Sequence, residues 1–160
     1  MKQILVLAAG VSLLTAGGVR AQDSSSPAFN PANEVRLEQT KKSLVMALES
    51  SSPGLQATAA QTVRELKALI PDDPFTCLVI PLMRIVKDED AVVEARILAA
   101  LALYELRSEK GDFAIKAEAA HTDNMRFQHI CAALAAERAK EVQLAQTGES
   151  APSPAIATAR

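Results

Sequence analysis

Tryptophan is missing from this chain, tyrosine occurs once and phenylalanine four times, so aromatic residues make up 3% of it. A platform that stacks bases or sugar rings needs aromatic faces, and these are too few to build one. The core has to come from Leu, Ile, Val and Ala. Cysteine is nearly as scarce, with Cys77 and Cys131 the only two. Histidine stands only at positions 121 and 129, and neither lies at a spacing that pairs it with Cys131 as base and nucleophile. The patterns HExxH, CxxC, a Gly-rich phosphate loop and Gly-x-Ser-x-Gly are absent. A cationic surplus is lacking too. The net charge is −2 without a basic cluster in the sequence, which argues against nucleic acid and anionic membrane surfaces as partners. No apolar run approaches the roughly 20 residues of a membrane span.

What is present begins with an export pattern. Lys2 is followed by an apolar stretch from Ile4 to Thr15, and Val19-Arg20-Ala21 offers small residues at the positions before a cut. This reads as a secretory signal peptide over 1–21, cleaved after Ala21, in a protein expected in the bacterial periplasm. Residues 22–30 contain Ser and Pro and are expected to be disordered, as is the Pro-, Ser- and Ala-rich tail 146–160. Between them, 31–145 is expected to form one domain. Export makes a Cys77–Cys131 bridge chemically possible, but both cysteines are expected on apolar helix faces as small hydrophobes.

Six helices are expected and no strand. Asn30-Pro31 opens the first, about 31 to 50, with Leu37, Leu44, Val45 and Leu48 on one stripe. Ser51-Ser52-Pro53-Gly54 stops it and starts a second over 53–69, carrying Leu55, Ala59, Val63, Leu66 and Ile70. Asp73-Pro74 starts a third, to about 87, with Pro81 inside it as an expected kink. A fourth spans 91–107. The chain is expected to turn at Gly111, followed by helices over 112–120 and 124–144.

Residues 97–103 read ILAALAL and residues 130–136 read ICAALAA. An offset of 38 places Leu44 on Leu82, Leu48 on Val86 and Val63 on Leu101; an offset of 33 places Leu82 on Ile115, Ile97 on Ile130 and Leu101 on Leu134. The same offsets align Ser52, Asp90 and Asp123, expected as the caps of the second helices. Recurrence at this length marks helical repeat arrays, in which one hairpin buries its stripe only against the next. Alanines 99, 100, 102, 132, 133 and 135 are expected to let successive second helices approach, and Glu137, Arg138, Lys140 and Glu141 to cover the open end with polar groups.

The run Asp90-Ala91-Val92-Val93-Glu94-Ala95-Arg96-Ile97-Leu98-Ala99-Ala100-Leu101 resembles the second helix of HEAT and HEAT-like repeats, and Asp123-Asn124-Met125-Arg126-Phe127 through Leu134 follows the same order more loosely. A proline in the first helix, as at Pro81, also recurs in that family. The resemblance covers about 31–142 and implies a short α-solenoid of about three antiparallel hairpins, an armadillo-type superhelix that binds partners and carries no catalytic residues. The tetratricopeptide pattern fits poorly, because its Trp and Gly-Tyr positions are missing.

The expected function is therefore a non-catalytic protein–protein interaction scaffold of the cell envelope, with an unidentified protein partner or a second copy of itself, and with no catalytic, cofactor-binding or metal residues. Asp88-Glu89-Asp90 lacks the glycine and distal Glu of a calcium loop and reads as turn plus cap. Candidate contacts are the polar positions of the second helices: Gln61, Arg64, Glu65, Glu94, Gln128 and His129. The alternatives are a small helical bundle that binds a metal or small ligand in the periplasm, and an accessory domain whose activity lies in a partner chain.

Overall fold

The computed structural model describes residues 31–148 of the chain. The expected signal peptide, the 22–30 segment, the Asn30 cap and the tail beyond 148 lie outside the described residues. Within them the chain is all-α: α1 (Pro31–Leu48), α2 (Pro53–Leu69), α3 (Thr76–Lys87), α4 (Val93–Leu106), α5 (Glu109–His121) and α6 (Met125–Gly148). The helices pack largely against their neighbours. α1 lies on α2, α3 on α4 and α5 on α6, while first helices touch in the order α1–α3–α5 and second helices in the order α2–α4–α6; α4 also meets α5.

The buried stripes explain that order. Leu44 and Leu48 of α1 meet Leu78, Leu82, Ile85 and Val86 of α3 in one core with Ala59, Ala60 and Val63 of α2. α4 contributes Ala95, Ala99, Ala100, Ala102, Leu103 and Leu106, and the last hairpin adds Ala114, Ile115, Phe127 and Cys131. Each fully buried Leu, Ile or Phe contributes about 1.5–3 kcal/mol relative to an exposed one. α4, central in its row, buries residues around most of its circumference, but Ile97, Leu98, Leu101 and Tyr104 stay half-buried, so it is open on its outer side rather than enclosed all round.

Repeat register is where sequence and structure part. In the first helices the expected offsets match the burial: Leu44 and Leu82, Leu48 and Val86, and Leu82 and Ile115 are equivalent buried positions. In the second helices they do not. Ala59, Ala60 and Val63 of α2 correspond in burial to Ala99, Ala100 and Leu103, and Ala95 and Ala99 to Phe127 and Cys131. The turns within hairpins differ in length, 49–52, 88–92 and 122–124, and each slides the second helix against the first. Two residues of slip rotate a helical position by about 200°, so Leu101, placed on Val63 by the sequence offset, faces outward.

The caps shift accordingly. Ser52 caps α2, its Oγ accepting from the Leu55 N–H at 3.4 Å. The residue before α4 is Val92, which has no side-chain cap bond, and the Asp90 N–H instead donates to Asp88 Oδ1 at 3.1 Å. At α6 the Phe127 N–H donates to Asn124 Oδ1 at 3.0 Å, so Asn124 and not Asp123 does the capping.

Further corrections concern individual residues. Gly111 is not a turn but the third residue of α5, and it is buried. A Cβ there would stand 2.8 Å from Ser108 Oγ and 3.3 Å from Leu103, so glycine permits α5 to lie against α4. Its N–H donates to Ser108 Oγ, which caps the helix from 108. Cys77 is exposed rather than on an apolar face, while Cys131 is buried; both are free thiols. Burial pushes the Cys131 thiol up to about 12. Leu55, expected on the stripe, is exposed at the first turn of α2. Ala132 and Ala133, expected to let a neighbouring helix approach, are exposed. Pro81 sits buried within α3, which continues to Lys87.

The α2–α3 turn carries a left-handed residue. Phe75 has φ 47° and ψ 35°, a conformation that costs a non-glycine residue roughly 1–2 kcal/mol. Its ring is buried beneath two ammonium groups, Lys41 Nζ at 5.3 Å and Lys67 Nζ at 5.9 Å from the centroid. The Phe75 N–H donates to Asp73 Oδ1 at 2.8 Å, and Lys41 donates to Asp73 Oδ2 at 2.6 Å. Asp73 therefore closes the turn and ties it to α1, instead of capping α3 as expected.

Candidate functional site

The polar positions singled out on the second helices fall into two groups. On α2 they form a chain of contacts. Gln61 Nε2 donates to Glu65 Oε1 at 3.0 Å, Arg64 donates to Gln61 Oε1 at 3.0 Å, and the same guanidinium reaches Glu105 Oε1 on α4 at 2.8 Å. On the α4–α6 side Glu94 faces Arg126 at 3.8 Å, with both side chains largely exposed. Gln128 is half-buried and His129 exposed, one turn further along α6. The fold thus joins Gln61, Arg64 and Glu65 into one network, and it links Glu94 to α6 without bringing it into that network.

Glu105 was missed, although it stands on the same outward stripe as Glu94, Leu98 and Leu101, at steps of four, three and four. Its neighbourhood holds a groove of about 470 Å³ at the C-terminal ends of α2 and α4, lined by Lys67, Ala68, Pro71, Tyr104, Glu105 and Arg107. Arg107 ends α4 in the left-handed region, φ 53°, and its guanidinium reaches Glu141 of α6 at 3.6 Å. Tyr104 donates to Glu141 Oε1 at 2.9 Å. Burial, and then that hydrogen bond, raises the phenol above its ordinary pKa. The bond from Tyr104, followed by the nearby Arg138 and Arg107, holds the Glu141 carboxyl below its usual range. The groove is therefore walled by the charged and polar groups of Lys67, Tyr104, Glu105 and Arg107 beside apolar Ala68 and Pro71. It offers recognition by charge and shape.

Two arginines behind this surface are buried. Arg96 of α4 donates from Nε to the Val86 carbonyl at 3.1 Å and from its terminal nitrogen to Glu118 Oε2 at 2.8 Å, with Thr122 Oγ1 at 3.4 Å. Its guanidinium lies over the Phe127 ring, 4.3 Å from the centroid. One side chain so ties α3, α4, α5 and α6. Arg138, expected to dress the open end, turns inward: it bonds Asp112 at 3.3 Å, Glu141 at 2.6 Å and the Tyr104 carbonyl, and lies 4.3 Å from the Tyr104 ring centroid. Glu141 likewise accepts from Tyr104 and Arg138, which leaves Glu137 and Lys140, bonded to each other at 3.1 Å, as the polar cover on that stretch of α6.

His121 is exposed at the end of α5. Among the described residues no group of three or more His, Cys, Asp or Glu side chains is placed to hold a metal ion, and no helix is long and apolar enough to cross a membrane. No family model, curated protein or solved structure matches the chain.

Proposed function

We propose that this chain is a non-catalytic protein–protein interaction scaffold of the bacterial cell envelope, built as a short HEAT-like α-solenoid of three hairpins. The observation that carries the reading is the packing order. Each hairpin rests on the next through like helices, α1 on α3 on α5 and α2 on α4 on α6, the arrangement in which each repeat buries its stripe only against adjacent repeats. The second-helix row presents the Gln61–Arg64–Glu105 network and the 470 Å³ groove side by side. A surface of fixed polar groups beside an open groove suits a docking partner. Export rests on the Lys2, apolar-core and Val19-Arg20-Ala21 pattern.

A photo-crosslinking residue at Gln61 tests the contact, with the same probe at Lys140 as control. A discrete protein adduct from Gln61 alone, lost in Glu105→Arg, is the expected result. No adduct, or the same adducts from both positions, defeats the assignment of this face. An experimental structure in which the 31–69 hairpin is not layered on the next as that one is on the third defeats the architecture.

A further inference from the structure

Where the starts of α3 and α5 meet, the core leaves a hollow. It is a cleft of about 270 Å³, lined by Thr76, Val79 and Ile80 of α3 and by Ser108, Glu109 and Lys110 at the start of α5. Val79 is buried and Ile80 is 43% exposed. An apolar cavity of about 150 Å³ holds benzene, so this cleft has room for an aromatic side chain. Two of its lining groups are charged, Glu109 and Lys110, one of each sign. Neither is ion-paired among the described residues. Lys116, a turn beyond Phe113, and Lys87, at the far end of α3, do not line the cleft.

A projecting ring stands beside this hollow. Phe113 is 67% exposed, whereas Phe75 and Phe127 are buried and Tyr104 is half-buried. It follows Glu109 by four residues and Lys110 by three. At about 100° per residue it therefore projects in a direction between theirs, one turn further along the helix. Gly111, Ala114 and Ile115 form the buried side of α5, which leaves Phe113 pointing away from the core. The carboxylate next to it, Asp112, is held by Arg138 at 3.3 Å. An apolar knob, a hole large enough for it and one free charge of each sign thus share one patch. Such a patch is complementary to itself, because under a twofold axis residue i of one copy meets j of the other and j meets i.

We infer that this patch pairs with the same patch on a second copy of the chain. Phe113 of each copy enters the cleft between Ile80 and Lys110 of the other, and Glu109 and Lys110 of each face Lys110 and Glu109 of the other. A second copy suits the patch better than a partner of one charge sign. An acidic segment would meet Glu109 at the cleft and a basic one Lys110, whereas a copy sets the opposite sign before each. Helices of 12 and 13 residues side by side offer a face of about 20 Å by 20 Å. That is the low end of specific interfaces, so the dimer is expected to be transient. The patch belongs to the other row from the groove described above, so the two assignments stand or fall separately.

The test is sedimentation of the full chain from about 10 μM to 1 mM. Expected is a monomer–dimer equilibrium, weakened about tenfold or more by Phe113→Asp, an exposed change. Glu109→Lys and Lys110→Glu are each expected to weaken it as much, because each sets like charges opposite one another. An equimolar mixture of those two variants is expected to associate again, since each then presents the opposite sign to the other. The double swap Glu109→Lys with Lys110→Glu should associate by itself for the same reason. Association indifferent to Phe113→Asp or to the single charge changes overturns the inference, as does a mixture of the two charge variants that stays monomeric. So does a chain that is monomeric at every concentration, whether or not a foreign protein or a lipid vesicle binds this face.

Discussion

Arg96 has a side chain only 4% exposed, and its partners come from three other helices. Removing one member of a buried ion pair leaves the other charge unsatisfied, at a cost of about 3–5 kcal/mol. Arg96→Ala is therefore expected to lower stability by that amount in chemical denaturation, and Arg96→Met by less, because it keeps the contact with Phe127. A loss under about 1 kcal/mol for the alanine variant would show that the pair contributes little. Asp73 supplies a pH-dependent term. Burial works against its ionised form, but the hydrogen bonds from Lys41 and the Phe75 N–H outweigh it and lower the carboxyl below its ordinary 3.8. A lowered folded pKa stabilises the protein above the unfolded value, and that stability is lost as pH falls through the folded one. The melting-temperature gap between wild type and Asp73→Asn should hence be full at neutral pH and close below pH 3.8. A gap that persists under acid would count against the Lys41–Asp73 contact. The sequence marked Asp73 as a helix cap and Arg96 as part of a repeat motif, but neither role could be seen there. Their partners lie 32 and 22 residues away along the chain, Lys41 and Glu118.

Among the helices, α2 and α6 are capped by side chains and α4 is not. Replacing a capping Ser or Asn with Ala costs typically about 1 kcal/mol. Ser52→Ala and Asn124→Ala should each show such a loss in urea unfolding, and Asp90→Ala about 0.5 kcal/mol or less, as a surface change. Equal losses at all three would restore Asp90 as a cap. Existence and type of every helix were legible from apolar spacing and from Pro and Gly punctuation. α5 was the exception at its start, placed after Gly111 because a glycine usually marks a turn. Here the residue lies inside the helix, where a Cβ would stand 2.8 Å from the capping Ser108 Oγ and 3.3 Å from Leu103. The second-helix register was also illegible: it is set by turns of unequal length, and no residue pattern shows how those turns slide one helix along another.

Across the whole molecule, interior position should set local stability. α4 packs against α2, α3, α5 and α6, whereas α1 packs chiefly against α2 and α3 among the described residues. Amide exchange is expected to be slowest at Ala99–Leu103 and faster throughout α1 and beyond Lys140 of α6, since sparsely packed ends open at low free-energy cost. Uniform protection from α1 to α6 would mean one all-or-none unit and no gradient from α4 outward.

Residue by residue, the chain alone determines an all-helical protein, because apolar residues at steps of three and four, with few aromatics and no alternating runs, can be buried only along helix stripes. It also determines which face of each first helix is buried, since Leu44 and Leu48 recur as Leu82 and Val86 at an offset of 38, and Leu82 recurs as Ile115 at an offset of 33. Tertiary structure decides the rest: that Arg96 and Arg138 turn inward, that Arg64 meets Glu105, and that Lys41 reaches Asp73. Each of these depends on charges carried by different elements. How near such charges come is set by packing and turn length rather than by order along the chain.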